Sequence, residues 1–243
     1  MFRIVRKEEL RPTVTLYEIE APLVAKKAQP GQFIILRVDE KGERIPITIN
    51  DYNPEKGTVT IIVQTVGATT EKLKHLNEGD CLQDFVGPLG KATETEGKKK
   101  VCVVGGGVGC AIAYPVLKKF HDNGAEVHAI VGFRSEDLVI LEEDFKKSSD
   151  KLIVCTDDGS YGRKGLVTDG VNLVEGYTFL YTCGPEAMLK AVYAVCKTSG
   201  QFSFEERMGC GFGACMGCTC KTKYGNKRIC KDGPVLAREE IVW

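Results

Sequence analysis

The sequence predicts an antiparallel β barrel, then a five-stranded parallel α/β sheet, and finally a cysteine-rich loop region. Three observations lead to this fold class. Short β-prone runs separated by turn residues fill the first part of the chain. Unbroken apolar runs then alternate with helical segments, as in a parallel sheet covered on both faces. From about Ser203 the chain is rich in glycine and cysteine and shows little helix or strand pattern.

The barrel is assigned to residues 1–97. Its clearest β-prone runs are Thr13–Ile19, Phe33–Val38 and Thr58–Gln64. Turn signals such as Gln29-Pro30-Gly31 and Tyr52-Asn53-Pro54 separate these runs. Several short strands at this spacing indicate a small barrel or sandwich.

The parallel sheet is assigned to residues 98–202, after a polar run at 93–100 that we interpret as a linker. The predicted strands are Val101–Val104, Glu126–Val131, Leu152–Cys155, Thr178–Tyr181 and Phe202–Phe204. Helices are predicted at Gly109–Asp122 and near Glu136–Lys147, and again after the third and fourth strands. Residues 203–243 form the third segment, which needs something other than a hydrophobic core to hold it.

Charge and hydropathy narrow the class of partner. The 33 basic and 33 acidic side chains cancel, so electrostatics give no reason to expect nucleic acid or an anionic membrane. The N-terminus lacks the apolar stretch of a signal peptide, and no apolar run approaches the roughly 20 residues that span a bilayer. We therefore expect a cytoplasmic protein that binds neither nucleic acid nor membrane.

The chain has 11 cysteines, an odd number that disfavours a disulfide framework. Five lie between Cys210 and Cys230, and six are scattered through apolar segments. Free cysteine packs like a small hydrophobe. Five of the scattered thiols are therefore predicted to lie in the core: Cys81, Cys102, Cys110, Cys155 and Cys196.

The C-terminal cysteines carry the strongest signal. Cys210, Cys215, Cys218 and Cys230 follow the spacing C-x4-C-x2-C-x11-C, and C-x4-C-x2-C with a distant fourth cysteine is the plant-ferredoxin pattern for a 2Fe–2S cluster. The intervening glycines let the loop turn and bring backbone N–H groups to the sulfurs. The alternative is structural zinc, although such sites usually show two C-x2-C pairs. Cys220 lies outside the spacing and is interpreted as a bystander.

Three loops predict a nucleotide site. Gly105, Gly107 and Gly109 follow an apolar strand and open a helix, where backbone N–H groups favour a phosphate. Ligands of open α/β sheets bind beyond the carboxyl ends of the strands, so later strand ends should line the same crevice. The residues at those ends are Asp157, Asp158, Cys183, Gly184 and Pro185. The alternatives are a ligand-free tight turn for the glycines and a buried strand-end thiol for Cys183.

Two barrel motifs could hold a pyrophosphate and the edge of a flavin ring. They place an arginine, hydroxyl groups and a glycine close together in sequence. Their residues are Arg44, Pro46, Ile47, Thr48, Gly67, Thr69 and Thr70. They could equally be a turn and a helix cap, because threonine before Glu71-Lys72-Leu73 is good N-cap chemistry.

The order of barrel, parallel sheet and cysteine loop resembles the ferredoxin–NAD(P)H reductase superfamily over essentially the whole chain. The stretches Glu206–Cys215 and Cys230–Val235 look like the electron-transfer subunit of dihydroorotate dehydrogenase B. Gly42–Thr48 and Asp157–Gly162 look at least as much like the small subunit of NADH-dependent reduced ferredoxin:NADP+ oxidoreductase, or sulfide dehydrogenase. In that second family an aspartate commonly replaces the first cluster cysteine, whereas this chain has Cys210.

The resemblance implies FAD, a 2Fe–2S cluster and NAD(H) or NADP(H) as cofactors. It implies that Cys183 and Thr48 act where the nicotinamide passes a hydride to FAD, and that the cluster relays electrons to a catalytic flavoprotein partner. That partner would be like dihydroorotate dehydrogenase or glutamate synthase, and ferredoxin is a further candidate. In the dihydroorotate family, arginine immediately precedes Pro-Ile-Ser/Thr. Here Ile45 holds that place, and Arg44 stands one residue earlier.

One alternative comes from another class: a nucleotide-sensing module with a structural zinc loop. A brown-yellow flavin and iron–sulfur protein would exclude it, since a zinc module is colourless. The choice between NADH and NADPH stays open, because Arg134 and Ser135 could bind a 2′-phosphate or form an exposed loop.

Overall fold

The computed structural model describes residues 1–243, and they divide into two compact units. The first unit comprises Met1–Ala92, Glu205–Cys220 and Asn226–Pro234. The second comprises Thr93–Phe204, Lys221–Gly225 and Val235–Trp243. Each unit thus takes up part of the C-terminal segment. The division into three cofactor-binding segments at residues 97 and 202 remains a proposal.

The sheet of the first unit has seven antiparallel strands: β1 Phe2–Arg11, β2 Val14–Glu20, β3 Phe33–Arg37, β4 Ile45–Asn53, β5 Thr58–Gln64, β6 Cys81–Leu82 and β7 Asp84–Leu89. Their order is β6-β1-β2-β5-β4-β3-β7. The two edge strands, β6 and β7, are separated in the chain by Gln83 alone, so the sheet must curl until its edges meet. This nearly closed barrel confirms the fold predicted for the N-terminal region.

The barrel core comes from alternating strand residues, such as Ile34 and Leu36 of β3 and Ile61 and Val63 of β5. Two short helices, α1 Pro22–Ala25 and α2 Ala68–Lys74, complete this region. Strand β1 was missed by the sequence analysis because charged residues interrupt it and most of its side chains are not buried. Its pairing with β2 makes it a strand, since backbone pairing needs no apolar pattern.

The second unit has another seven-stranded sheet, with five parallel strands at its centre as predicted. These are β8 Lys100–Gly106, β9 Glu126–Phe133, β10 Lys151–Thr156, β12 Phe179–Cys183 and β13 Ser199–Ser203. The edges add β11 Arg163–Lys164, parallel to β10, and β16 Val235–Ala237, antiparallel to β13. The order is β11-β10-β9-β8-β12-β13-β16. The remaining strands, β14 Thr219–Thr222 and β15 Gly225–Arg228, form a separate hairpin.

The later helices are α3 Gly109–Asp122, α4 Glu142–Lys147, α5 Val167–Val171, α6 Glu186–Val195 and α7 Ile229–Asp232. The continuous helix predicted near Glu136–Lys147 is wrong. A 3-10 turn at Glu136–Leu138 is followed by the buried pair Val139 and Ile140, and then by Leu141 at a left-handed φ of 58°. Burial of these two β-branched residues interrupts the helix, which restarts at α4.

The scattered cysteines are buried with one exception. Cys102, Cys110, Cys155 and Cys196 lie in the interior of the second unit, as predicted. The prediction for Cys81 is wrong, because this residue is exposed on the edge strand β6. No helix of the chain is both long and apolar enough to cross a membrane.

Candidate functional site

Four cysteines of the first unit come together as two pairs. Cys210, Cys215 and Cys218 lie on the loop after β13, and Cys230 lies in α7. The side chains of Cys210 and Cys215 hydrogen-bond each other, as do those of Cys218 and Cys230. The backbone N–H of Cys230 also donates to Sγ of Cys218 at 3.4 Å. The fold therefore brings the four predicted ligands together as two pairs.

Backbone donors favour a thiolate at the first position. The N–H groups of Cys215, Phe212 and Ala214 hydrogen-bond to the sulfur of Cys210 and lower its thiol pKa to about 6. Burial, together with the nearby Cys218, raises the pKa of Cys230 to about 12. A loop of N–H donors around sulfur is the arrangement that iron-bound thiolates use.

The pairing fits a two-iron cluster better than a single metal ion. In a 2Fe–2S cluster two bridging sulfides occupy half of each iron's coordination, so two cysteines complete it. A four-coordinate zinc site needs four donors around one point. The arrangement of the cysteines thus favours iron–sulfur over the zinc alternative.

The cluster loop is held against the barrel at Gly211. This residue has a left-handed φ of 78°, and a Cβ placed there would lie 2.7 Å from Cγ1 of Ile35 and 2.9 Å from Cδ1 of Leu89. Any side chain would separate the loop from strands β3 and β7. Further along, Nη1 of Arg228 donates to the carbonyl oxygen of Gly213 at 3.0 Å.

The outer side of the loop is exposed and apolar. Cys215 is exposed, and it lies between Phe212 and Met216, whose exposed fractions are 62% and 56%. Met216 also adopts a φ of 61°, a strained conformation for a non-glycine residue. Cys215 of the first cysteine pair is thus exposed within an apolar rim formed by Phe212 and Met216.

The two barrel motifs lie at the same end of neighbouring strands. Pro46, Ile47 and Thr48 are half-buried at the start of β4, where Thr48 pairs with Phe33. Strand β5 runs antiparallel to β4, so its carboxyl end, which leads into Gly67, lies beside the start of β4. Residues 44–48 and 67–70 are thus neighbours, although sequence reasoning could not pair them.

Arg44 has a partner within the barrel. Its Nη1 lies 3.6 Å from Oδ2 of Asp84, which also accepts a 2.7 Å hydrogen bond from Nε of Arg37. The Arg44 guanidinium therefore shares this carboxylate with Arg37.

Helix α2 begins earlier than the cap interpretation of the second motif predicted: its N-cap is Gly67, and Thr70 caps the helix from its third position. Its Oγ1 accepts hydrogen bonds from the N–H groups of Val66 and Gly67 at 2.9 and 3.0 Å, and donates to the carbonyl oxygen of Gly67 at 2.9 Å. Both Thr69 and Thr70 are buried. Gly67 is the residue of this motif that leaves open space beside its backbone.

The residues predicted to bind the nucleotide lie at the carboxyl ends of the parallel strands. Chain order runs outward from β8 through β9 to β10, and in the other direction from β12 to β13, so the switch point lies between β8 and β12. There Gly105 pairs with Cys183, and Gly107 continues into the turn before α3. Open α/β sheets bind their ligands at this position.

Gly109 permits the close packing of this switch point. A Cβ there would lie 2.7 Å from the carbonyl oxygen of Cys183 and 2.8 Å from Cα of Gly184. The side chain of Cys183 is fully buried, and Pro185 beyond it is exposed. The backbone at the end of β12 thus lines the carboxyl end of the sheet, while the Cys183 thiol is buried.

The third loop presents two exposed aspartates. Oδ1 of Asp158 accepts hydrogen bonds from Oγ and N–H of Ser160 at 2.7 and 2.9 Å, and these bonds lower its pKa. The N–H of Asp157 donates to the carbonyl oxygen of Phe133, which ties this loop to the end of β9. Asp157 and Asp158 therefore sit where strands β9 and β10 end.

Sequence reasoning missed Glu205, which directly precedes the cluster loop. Burial of its carboxyl group raises its pKa, although the residue as a whole is exposed. A carboxyl group with a perturbed pKa is a candidate functional residue. No motif marked it, and its position two residues after β13 was the one available signal.

Comparisons with known proteins agree with this geometry. Residues 205–242 match the family described as the iron–sulfur cluster binding domain of dihydroorotate dehydrogenase B. The electron-transfer subunit of dihydroorotate dehydrogenase B (NAD(+)) from Shouchella clausii is 39% identical over 98% of this chain and 96% of its own. A Thermotoga maritima homolog of that subunit is 39% identical over 99% and 87%.

Solved structures extend the likeness to the whole fold. The structure of NADH-dependent reduced ferredoxin-NADP oxidoreductase, studied for flavin-based electron bifurcation, is 36% identical with a TM-score of 0.95, and the match covers 100% of this chain and 90% of that one. Phthalate dioxygenase reductase, 15% identical with a TM-score of 0.63, covers 80% of this chain and 63% of its own and shares the fold alone.

Proposed function

The chain belongs to the family of dihydroorotate dehydrogenase B electron-transfer subunits, and on that premise we propose that it moves electrons between a nicotinamide nucleotide and a catalytic flavoprotein. Its cofactors are FAD, a 2Fe–2S cluster and the nicotinamide nucleotide. The observation that carries the proposal is the pairing of four cysteines inside the matched iron–sulfur segment. Membership of this family also disfavours the zinc-module alternative.

Each cofactor is assigned to its own set of residues. The cluster is held by Cys210, Cys215, Cys218 and Cys230. FAD is held by Arg44, Pro46, Ile47, Thr48, Gly67, Thr69 and Thr70, with Thr70 acting through the cap of α2. The nucleotide binds at Gly105, Gly107, Gly109, Asp157, Asp158, Gly184 and Pro185. FAD supplies the exchange between hydride and single electrons, and the protein supplies placement and tuning.

Two residues are assigned to the hydride step. Thr48 would orient the flavin edge from the start of β4, and Cys183 would shape the nicotinamide position from the end of β12. Because the Cys183 thiol is buried, it would act by packing under the ligand and not as a proton donor.

An electron-transfer subunit works with a catalytic partner subunit. We assign that partner to the dihydroorotate dehydrogenase type, in the cytoplasm, because relatives at 39% identity are electron-transfer subunits of that enzyme. The alternative partner is the glutamate-synthase-like subunit of a ferredoxin:NADP+ oxidoreductase. The TM-score of 0.95 with that enzyme's structure favours this second candidate.

The test is to purify the native complex anaerobically and the chain alone. The chain alone should contain FAD and a 2Fe–2S cluster and should reduce artificial acceptors with NAD(P)H, without turning over dihydroorotate. The complex should couple dihydroorotate oxidation to NAD+ reduction. Dihydroorotate turnover by the isolated chain would refute the subunit assignment. A complex that is inactive with dihydroorotate but couples NADH, NADPH and ferredoxin would support the second candidate.

A further inference from the structure

Three charged side chains of the barrel converge where three neighbouring strands begin or end. Arg37 is the last residue of β3, Asp84 is the first residue of β7 and pairs with Arg37, and Arg44 immediately precedes β4. Oδ2 of Asp84 lies 2.7 Å from Nε of Arg37 and 3.6 Å from Nη1 of Arg44. One carboxylate therefore lies between two guanidinium groups. These three residues are here called the charged triad.

The charged triad lies on the outer face of the barrel. Leu36 and Phe85, the strand neighbours of Arg37 and Asp84, belong to the barrel core. Because successive side chains of a strand point to opposite faces, Arg37 and Asp84 point away from that core. Arg44 is held on the same face through its contact with Asp84.

Residues assigned to FAD lie on this face as well. Ile47 of β4 packs against the barrel core, so Pro46 and Thr48 on either side of it point outward. Gly67, beside the start of β4, has open space next to its backbone. Arg44 therefore stands at the strand end to which the flavin residues are assigned, on the face that could receive the ligand.

The two arginines of the triad differ in how firmly they are held. Arg37 donates from Nε to Asp84 at 2.7 Å and from Nη1 to the carbonyl oxygen of Glu40 at 3.2 Å. Arg44 is more exposed, and its 3.6 Å contact with Asp84 is too long for a hydrogen bond. The N–H groups of the Arg44 guanidinium thus remain available to another acceptor.

The carboxylate of Asp84 also separates two like charges. Both guanidinium groups contact the same oxygen atom, so without Asp84 they would repel each other and Arg44 would move away. The charges of Arg37 and Asp84 cancel, which leaves the positive charge of Arg44 uncompensated. A guanidinium fixed in one orientation suits a phosphate group, which it binds through two parallel hydrogen bonds.

We propose that Asp84, itself held by Arg37, is a positioning residue that orients Arg44 toward the pyrophosphate of FAD. The inference deepens the proposed function and rests on it, since it requires FAD on the barrel. Arg44 makes the contact with the pyrophosphate, and Asp84 acts only through Arg44.

The variant Asp84→Asn separates positioning from charge, because the two effects have opposite signs. The substitution makes the triad more positive, so charge alone would slow the release of FAD, most strongly at low salt. Loss of positioning should instead speed the release. The measurement is the rate constant for FAD release from the diluted full-length holoprotein, followed by the rise in flavin fluorescence.

Arg44→Gln and the double variant complete the test. Each single variant should release FAD at least ~5-fold faster than the wild type, and the double variant should match Arg44→Gln, because Asp84 acts through Arg44. The control is Glu20→Gln, which removes the carboxylate of another barrel ion pair, with Arg3 at 3.1 Å. It should change the rate less than about 2-fold.

Slower or unchanged release from Asp84→Asn, or an unchanged rate in Arg44→Gln, would overturn the proposal. So would a double variant that releases FAD faster than Arg44→Gln, because Asp84 would then act on the barrel and not through Arg44. Iron content and the thermal midpoint verify that each variant is folded. Asp84→Glu keeps the charge and should stay nearer to the wild-type rate than Asp84→Asn. Failure of the proposed function is distinguishable, since the wild-type protein would then contain no FAD.

Discussion

At the scale of residues, Cys215 and Cys220 give a direct test of cluster ligation. Cys215 hydrogen-bonds Cys210, whereas Cys220 lies in β14 outside the spacing. Replacing Cys215 with serine should abolish the 2Fe–2S EPR signal of the reduced protein. Cys220→Ser should keep that signal. Full iron content and an unchanged spectrum in the Cys215 variant would disprove the ligand assignment.

A substitution of Cys183 tests the proposed nucleotide site at the carboxyl end of β12. Its thiol is buried, and its carbonyl oxygen is in close contact with Gly109. Cys183→Ala should slow hydride transfer from NAD(P)H to FAD, because the packing under the nicotinamide is lost, and should leave cluster content unchanged. Stopped-flow flavin reduction measures this rate. If the rate is unchanged while thermal stability falls, the thiol has a packing role only.

Glu205 predicts a pH-dependent stability. Burial raises the pKa of its carboxyl group above the ordinary value near 4.5, so the folded state disfavours the charged form. Below the ordinary pKa the carboxyl group is neutral in both states and does not lower the free energy of unfolding. That free energy falls as the pH rises from the ordinary pKa through the raised pKa of the folded state. Glu205→Gln should therefore match the wild type at pH 4 and unfold at a higher temperature at pH 7.

The adjacent Glu206→Gln provides the control for this prediction, because Glu206 is exposed. It should give the same difference from wild type at both pH values. A Glu205→Gln variant that gains no stability between pH 4 and pH 7 would contradict the proposed burial.

At the scale of elements, Gly211 should decide how well the cluster loop packs on the barrel. Gly211→Ala places a Cβ 2.7 Å from Ile35 in a left-handed conformation, so it should destabilise the loop by about 1–3 kcal/mol. Gly209→Ala is the matched control, because nothing lies within 4 Å of its added Cβ. The readouts are the thermal midpoint and the rate of iron release to a chelator. Equal behaviour of the two variants would show that the contact is unimportant.

At the scale of the whole molecule, removing the cysteines and removing their segment should have different results. The segment packs on β3 and β7 through Gly211 and supplies the edge strand β16 to the second sheet. A variant with all four cluster cysteines changed to serine should lose iron but keep FAD. A chain ending at Phe204 exposes apolar surface in both units and should be poorly soluble. A soluble truncated chain that retains FAD would show that each unit is stable without this segment.

The sequence by itself determined the features that depend on local pattern. The four cysteines were found because a ligand loop imposes fixed spacing, and the first four parallel strands were found because each contains an apolar run. The fifth strand, Ser199–Ser203, has no such run and begins before the predicted Phe202–Phe204. Helix α3 was predicted from Gly109 to Asp122, as observed. Apolar period and ligand spacing are properties of neighbouring residues, so they can be read without the fold.

Tertiary structure alone decided the features that join distant residues. These include the pairing of Cys218 with Cys230, the contact of Gly211 with Ile35, and the burial of the Cys183 thiol. Strand β1 and the edge strand β11 likewise form by pairing with neighbours and have no apolar pattern of their own. The physical reason is that backbone pairing and close packing depend on partners from elsewhere in the chain, and a local sequence does not specify its partners.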